Sequence, residues 1–352
     1  MPWSKITSAH VEPPYATDSA SAGVRRISYP ESLREALAQG LELDPGVFVM
    51  GQGVDDPGGM FGVSRGLQDR FGANRVFDTP LAETALMGVA LGAALGGMRP
   101  VYLHNRPDFL LLAMDQLVNH AAKWRYMFGG ASGAPLVVWA CIGRGWGSAA
   151  QHSQALQGLF FHVPGLKLAM PATCYDAKGL MLAAIRDDDP VLILDHRFNF
   201  RNTGPVPEAL YTVRLGKAAI RRPGRDVTVV ALSHLVGEAF EVAQELAAEG
   251  IDAEVIDPRT LRPLDTETIL ESVRRTGRLV VVDPGWHTGG VAAEILALAV
   301  EHCLDRLRVP PRRVTCPDLP TPAGQTLEAA YYIGKNDIAG AIRLAMHGGK
   351  PS

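Results

Sequence analysis

From Ser28 onward the apolar and polar positions switch repeatedly between two periods. Apolar residues spaced three and four apart predict helices, and short unbroken apolar runs that stop at glycine or a polar turn predict buried strands. In chain order the pattern predicts a helix over Tyr29–Leu43, a strand over Val47–Gly51, a helix over Gly66–Phe71 and a strand over Val76–Asp78. A helix over Glu83–Gly97 follows, then a strand over Val101–Leu103, a helix over Met114–Tyr126 and a strand over Leu136–Ile142. Lys167–Met170, Tyr175–Arg186 and Val191–Leu194 read as strand, helix and strand. Past residue 218 the same alternation resumes with strands at Val227–Ala231, Ala253–Asp257, Leu279–Val282 and Arg313–Cys316. Helices at Leu235–Glu249, Thr266–Thr276, Gly290–His302 and Asp337–His347 separate and close them.

Strands alternating with helices of these lengths imply parallel sheets covered on both faces. The fold class is therefore α/β, with two doubly wound parallel-sheet domains. Residues 1–24, rich in Ser, Ala and Pro, read as a loosely ordered tail. The first domain spans 25–200, a linker without periodicity spans 201–218, and the second domain spans 219–348. With 352 residues, 47% of them hydrophobic, each half can bury a core. A net charge of -3 gives no electrostatic reason to expect nucleic acid or an anionic membrane. No apolar run reaches the length of a membrane span. The scattered Cys141, Cys174, Cys303 and Cys316 read as reduced thiols of a cytoplasmic protein.

Glu83 stands out. It opens the segment ETALMGVALGAALGG, which holds no other charge and so predicts a helix buried on every side, with small residues that allow another helix close approach. A carboxylate in a first helical turn can simply complement the helix dipole and face water. It can equally be a carboxyl in a dry site, with its proton affinity raised for exchange near neutrality. His152 follows the glycine-rich Gly143–Gly147 loop and suits an acid, a base or an anion ligand, or a structural role. His162, before Pro164 and Gly165, reads as packing at a turn. The acidic turn Asp187-Asp188-Asp189-Pro190 is either solvated or a cation site. The stretch from Asp283 to Gly290 (DPGWHTGG) is either a tight turn or an anion-holding helix start. Neither a P-loop nor a dinucleotide fingerprint is present.

Together VFVMGQGV, VSRGLQDRFG, RVFDTPLAETALMGVALGAALGGMRP, FLLLAMDQLVNHAAKWRYMFGG, AAQHSQALQGLFFHVPGLK, YDAKGLMLAAIRDDDPV and DPGWHTGGVAAEI resemble the β subunits of the thiamine-diphosphate-dependent decarboxylating component of 2-oxoacid dehydrogenases. These are the pyruvate, branched-chain and acetoin types, with a transketolase-like pyrimidine-binding domain and a C-terminal domain. The resemblance covers residues 26–345. It implies that Glu83 hydrogen-bonds the aminopyrimidine of thiamine diphosphate, that Phe109 packs against that ring, and that Gln52 lies beside it. It implies that His152 lies near the reacting substrate, and that Leu136, Ala184, Ile185, Asp187 and Asp189 hold a structural potassium ion. The family's magnesium-diphosphate motif, which opens with GDG, is absent here, and the resemblance implies that this site lies on an α partner. Two α and two β chains are implied, with a lipoyl acyltransferase core as a further partner.

The chain also departs from the pattern. Where such subunits read G-E-[DE]-V, it has Gly51-Gln52-Gly53-Val54, and Gln52 keeps hydrogen bonds but relays no proton. Leu103 replaces an acidic residue, and the neighbouring His104 and Arg106 suit a substrate carboxylate or phosphate. Three functions follow from these residues: oxidative decarboxylation with acyl transfer to lipoamide, carboligation by the same cofactor activation, and a non-catalytic assembly subunit.

Overall fold

The structure, a computed structural model, describes residues 25–143 and 147–347; the expected tail and the centre of the Gly143–Gly147 loop lie outside the described residues. The chain divides into two compact units, Met1–Ile142 with Leu159–Leu215, and Gly143–Gly158 with Gly216–Ser352. In chain order the first part runs β1 (Arg26–Ser28), α1 (Tyr29–Leu43), β2 (Val47–Gly51), α2 (Leu67–Phe71), β3 (Val76–Asp78), α3 (Glu83–Leu95), β4 (Arg99–His104), α4 (Pro107–Leu110), α5 (Ala122–Met127) and β5 (Val137–Ile142). It continues with α6 (Gln157–Phe161), β6 (Lys167–Ala169), α7 (Cys174–Arg186), β7 (Val191–His196) and β8 (Thr203–Pro205).

Within the first unit the main sheet has the order β6-β7-β5-β4-β2-β3, and every one of these pairs is parallel. Because these strands are covered on both faces, their residues are apolar without alternation, and β2, β5 and β7 are buried throughout. One face carries the core in which Leu33 and Leu37 of α1 and Leu180 and Met181 of α7 meet Val101, Leu103 and Trp139. Helix α3 packs on β4. Helix α1 starts where Ser28 donates from its backbone and its hydroxyl to Glu31 Oε2, at 2.8 and 2.7 Å, with Pro30 in the first turn.

Two expectations change here. The stretch 201–218 is not a bare linker: β8 pairs antiparallel with β1, and Val206, Tyr211 and Val213 enter the core. The expected helix over Met114–Tyr126 is a longer composite. It begins at Pro107, passes through a 3-10 turn at Leu111–Ala113 and a π-helical stretch at Asp115–Ala121, and ends as α5. Proline at a first helical position needs no amide donor, so Pro107, seven residues ahead of the periodic pattern, starts the turn that carries Phe109.

The second unit contains β9 (Ala219–Arg222), β10 (Val227–Ala231), α8 (Leu235–Ala247), β11 (Ala253–Asp257), β12 (Thr260–Arg262), α9 (Thr266–Thr276), β13 (Leu279–Trp286), α10 (Val291–Cys303), β14 (Arg312–Cys316), α11 (Gln325–Tyr331) and α12 (Lys335–His347). Its sheet order is β14-β13-β10-β11-β9, parallel except for β9, an antiparallel edge strand. Short and carrying two arginines, β9 gave no apolar run to detect. All four cysteines are free and buried. Among the described residues no helix is long and apolar enough to cross a membrane.

Candidate active site at the carboxyl ends of the first sheet

Ligands of open parallel sheets bind at the carboxyl ends of the strands, and there the first unit collects its polar side chains. Gly51 ends β2 beside β4; a Cβ there would sit 2.1 Å from the Leu103 carbonyl oxygen, so only glycine allows the approach. The chain then turns at Gln52, which is half-buried, and Gly53, whose amide donates to Asp78 Oδ1 at 2.6 Å. Asp78 ends β3, and the turn after it delivers Glu83 as the first residue of α3.

Glu83 is half-buried, and the helix behind it is not enclosed by this chain. Met87, Ala90, Leu91 and Ala94 face inward, whereas Ala85, Gly88, Val89 and Gly92 form an exposed face. All-round burial is therefore corrected: lack of charge does not decide which face of a helix is covered, and here small and apolar residues form an open face. No described residue hydrogen-bonds or ion-pairs with the Glu83 carboxylate. Two side chains of β4 feel its charge. Burial, helped by Glu83, pushes the Tyr102 hydroxyl up to about 12. Burial pushes His104 down to about 4, against the opposing pull of Glu83 and of the Arg106 carbonyl. Phe109 is half-buried in the turn after β4, and Leu103 is fully buried in the core. The structure thus brings Glu83, Gln52 and Phe109 to one sheet edge. His152 belongs to the other unit, exposed on the loop after β5.

Sequence reasoning missed Asp195. It is fully buried near the end of β7, where Tyr29 Oη donates to it at 2.5 Å and Trp139 Nε1 donates to its second oxygen. Burial drives its carboxyl from 3.8 up to about 7, against both hydrogen bonds. The signal was present: an aspartate inside VLILDH, a run that was read as ending at Leu194 and that the strand carries to His196. A raised carboxyl favours the protonated folded state, so its stabilisation is complete below pH ~4 and is lost as pH rises through about 7. Asp195→Asn should remove that loss. Between pH 5 and 8 the wild-type thermal midpoint should fall relative to the variant's by the equivalent of a few kcal/mol, and parallel curves would refute the assignment.

The residues expected to hold potassium fit that ion poorly. Arg99 Nη1 donates to the carbonyls of Ile185 and Asp187 at 3.1 and 2.9 Å. Lys167 Nζ sits 2.7 and 2.6 Å from the two Asp187 oxygens, and Arg125 Nε donates to Asp189 at 2.5 Å. The Leu136 and Ala184 carbonyls accept from Val191 and Asp187 backbone amides. Three fixed side-chain cations already balance Asp187, Asp188 and Asp189, and an added cation would meet their repulsion. Among the described residues no cluster of His, Cys, Asp or Glu could hold a metal ion.

The stretch Asp283–Gly290 is the end of β13 followed by a tight turn at His287–Gly290 into α10. Asp283, buried inside it, accepts from the Gly285 and Ala292 amides at 2.8 and 3.0 Å and from Gln157 Nε2 at 2.7 Å, so a carboxylate of the chain itself takes the donors an outside anion would need. His162 is exposed, not packed. Its neighbour Gly165 is the enforced residue there, since a Cβ would lie 1.8 Å from the Ala122 carbonyl oxygen.

Comparison with known proteins identifies the family. A family described as "Transketolase, pyrimidine binding domain" matches residues 25–203, and "Transketolase, C-terminal domain" matches residues 216–338. The β subunit of acetoin:2,6-dichlorophenolindophenol oxidoreductase from Cupriavidus necator is 43% identical, over 93% of this chain and 99% of its own. The β subunit of 2-oxoisovalerate dehydrogenase from Bacillus subtilis is 40% identical over 90% and 98%. The pyruvate dehydrogenase E1 component subunit beta of Rickettsia felis is 41% identical over the same shares. A solved split-gene transketolase, an inactive β4 tetramer, superposes with a TM-score of 0.71 at 24% identity, over 92% of this chain and 99% of that one, and shares the fold. Two transketolase-type domains, a carboxylate at the head of α3, and relatives matched nearly end to end place this chain in the family of β subunits of 2-oxoacid dehydrogenase decarboxylating components.

Proposed function

We propose that this chain, together with an α subunit, catalyses thiamine-diphosphate-dependent decarboxylation of a 2-oxoacid and transfer of the acyl group to lipoamide. The observation that carries this reading is Glu83: a half-buried carboxylate at a helix start, with open acceptor oxygens, on the same sheet edge as the Phe109 ring. That donor set fits a flat heterocycle with a ring nitrogen to be protonated. When bound, thiamine diphosphate supplies the nucleophilic carbon and the electron sink that decarboxylation requires.

The protein's work is positioning and proton control. Glu83 exchanges a proton at its carboxylate oxygen with the ring nitrogen, while the Phe109 face orients the ring. Gln52 fixes the neighbouring hydrogen bonds without relaying a proton. His152, exposed on its loop, serves the reacting oxygen as acid or base. The magnesium and diphosphate are held by the α subunit, and two α and two β chains assemble, with a lipoyl acyltransferase as acceptor. The four buried free thiols suit a cytoplasmic setting.

A second reading, carboligation, is favoured by Arg106 and Arg197. Both are buried, one beyond the end of β4 and the other beyond β7, on either side of β5. Two guanidinium groups there suit a phosphate- or carboxylate-bearing second substrate. Co-expression with the α subunit, followed by a 2-oxoacid panel with and without lipoamide, separates the readings. Carbon dioxide release with lipoamide-dependent acyl transfer is expected. Release with a ligated hydroxyketone as product would select carboligation, and no release from any 2-oxoacid would refute decarboxylation.

A further inference from the structure

Two polar atoms behind Glu83 have no hydrogen-bond partner among the described residues: Tyr102 Oη and His104 Nε2. Tyr102 is 0% and His104 1% exposed. Buried polar groups in folded proteins are nearly always satisfied, and two orphans side by side ask for a reason. They are neighbours on one face of β4, with ring centroids 5.4 Å apart in an edge-on arrangement. Both residues lie on β4, the strand against which α3, the helix that Glu83 opens, is packed.

Their chemistry is complementary. Nδ1 of His104 lies 2.9 Å from the Arg106 carbonyl oxygen, an acceptor, so Nδ1 carries the proton and Nε2 of the neutral ring is left with a lone pair. The Tyr102 hydroxyl can donate. A carboxyl that gains and loses a proton in each cycle needs a donor while ionised and an acceptor while protonated, and this pair offers one of each. The other charged and titratable groups at these strand ends are Asp55 and Asp56 in the loop after β2, Asp78 at the end of β3, Arg106 and Asp108 in the turn after β4, Cys141 in β5, Asp195 and His196 at the end of β7, and Arg197 just beyond it. Asp78 is occupied by the Gly53 amide.

We propose that Tyr102 and His104 are positioning residues for Glu83: directly or across one ordered water, Tyr102 Oη donates to the ionised carboxylate and His104 Nε2 accepts from the protonated carboxyl. The proposal rests on Glu83 being the proton-exchanging group of the proposed function, and it makes the β4 pair the device that keeps both of its protonation states hydrated by protein.

Tyr102→Phe is the sharpest test, because Oη has no structural partner to lose. A purely structural role predicts unchanged or slightly raised stability and no electrostatic effect. Removing a donor from the ionised form should instead shift the acid limb of the kcat–pH profile of the α/β complex upward by about one pH unit, with KM changed less than about twofold. In the isolated β chain, the infrared carboxylate band that disappears in Glu83→Gln should protonate at higher pH in Tyr102→Phe than in wild type. Nitrogen-15 NMR of the His104 ring should show Nδ1–H and a bare Nε2 from pH 6 to 8. An unmoved carboxylate band, or an imidazolium at pH 7, would overturn the inference. The band and the ring are read without turnover, so a complex that decarboxylates nothing refutes the proposed function separately.

Discussion

Replacing Glu83 by alanine is expected to lower turnover of the α/β complex by about 10³-fold while both subunits still co-purify. The size follows from the role: a positioned proton-transfer group typically contributes 10²–10⁴. Folding should barely change, since no described residue hydrogen-bonds or ion-pairs with this carboxylate in the structure, and the proposed contacts with Tyr102 and His104 serve proton exchange. The loss is the favourable interaction of a negative charge with a helix start, typically 0.3–1 kcal/mol. Turnover and thermal midpoint measured on the same preparation separate the two effects. If activity stays near normal, Glu83 has no place in the chemistry; if activity and assembly vanish together, its role is structural.

The second large effect is on stability and lies far from the strand ends. Lys178 in α7 is 0% exposed. Its ammonium meets Glu35 of α1 at 2.6 Å and the carbonyls of Pro207, Glu208 and Ala209 at 2.7, 3.1 and 3.0 Å, with the Tyr211 ring 5.1 Å away. Lys178→Met keeps most of the volume but leaves three carbonyls without their donor and takes from Glu35 its buried cation, leaving that carboxylate only the more exposed Arg25 at 2.7 and 2.8 Å. Breaking such a pair by removing one partner costs roughly 3–5 kcal/mol, and the thermal midpoint should drop by on the order of 10 °C. A drop of less than about 2 °C would mean that water replaces the ammonium without penalty.

Lys178 also shows why part of the fold was hidden in the sequence. Residues 201–218 have no period because their backbone is held by side chains from elsewhere: the lysine of α7, the strand pairing with β1, and Tyr211 stacked on Tyr175 at 4.5 Å. Periodicity detects elements that bury one face of themselves, and a segment ordered by a remote ammonium leaves no such trace. The parallel strands were legible because both faces are apolar, as β2 and β5 show. Glu83 was legible as the one charge in an apolar helix, but its half-open setting was not, because the exposed face of α3 has the same composition as the buried one. The potassium set was legible only through family likeness, and it changes once Arg99, Lys167 and Arg125 are seen to reach it from three other elements. Tyr102 looks like an ordinary strand residue in sequence, and His104 looks like a ligand for a substrate carboxylate or phosphate beyond the strand; only their burial in β4 and their unpaired atoms point to the pair.

The path of the chain has a consequence for synthesis. It completes four strands of the first sheet, spends Gly143–Gly158 in the second unit, returns for Leu159–Leu215, and only then supplies the rest of the second unit. On a ribosome, Gly143–Gly158 therefore emerges long before the strands it belongs with. Gln157, which will hold Asp283, waits for a partner 126 residues downstream. No single break in the polypeptide yields two intact halves: a gene split after Leu215 would leave the second unit without its first sixteen residues, so separately made halves could complete that unit only by associating.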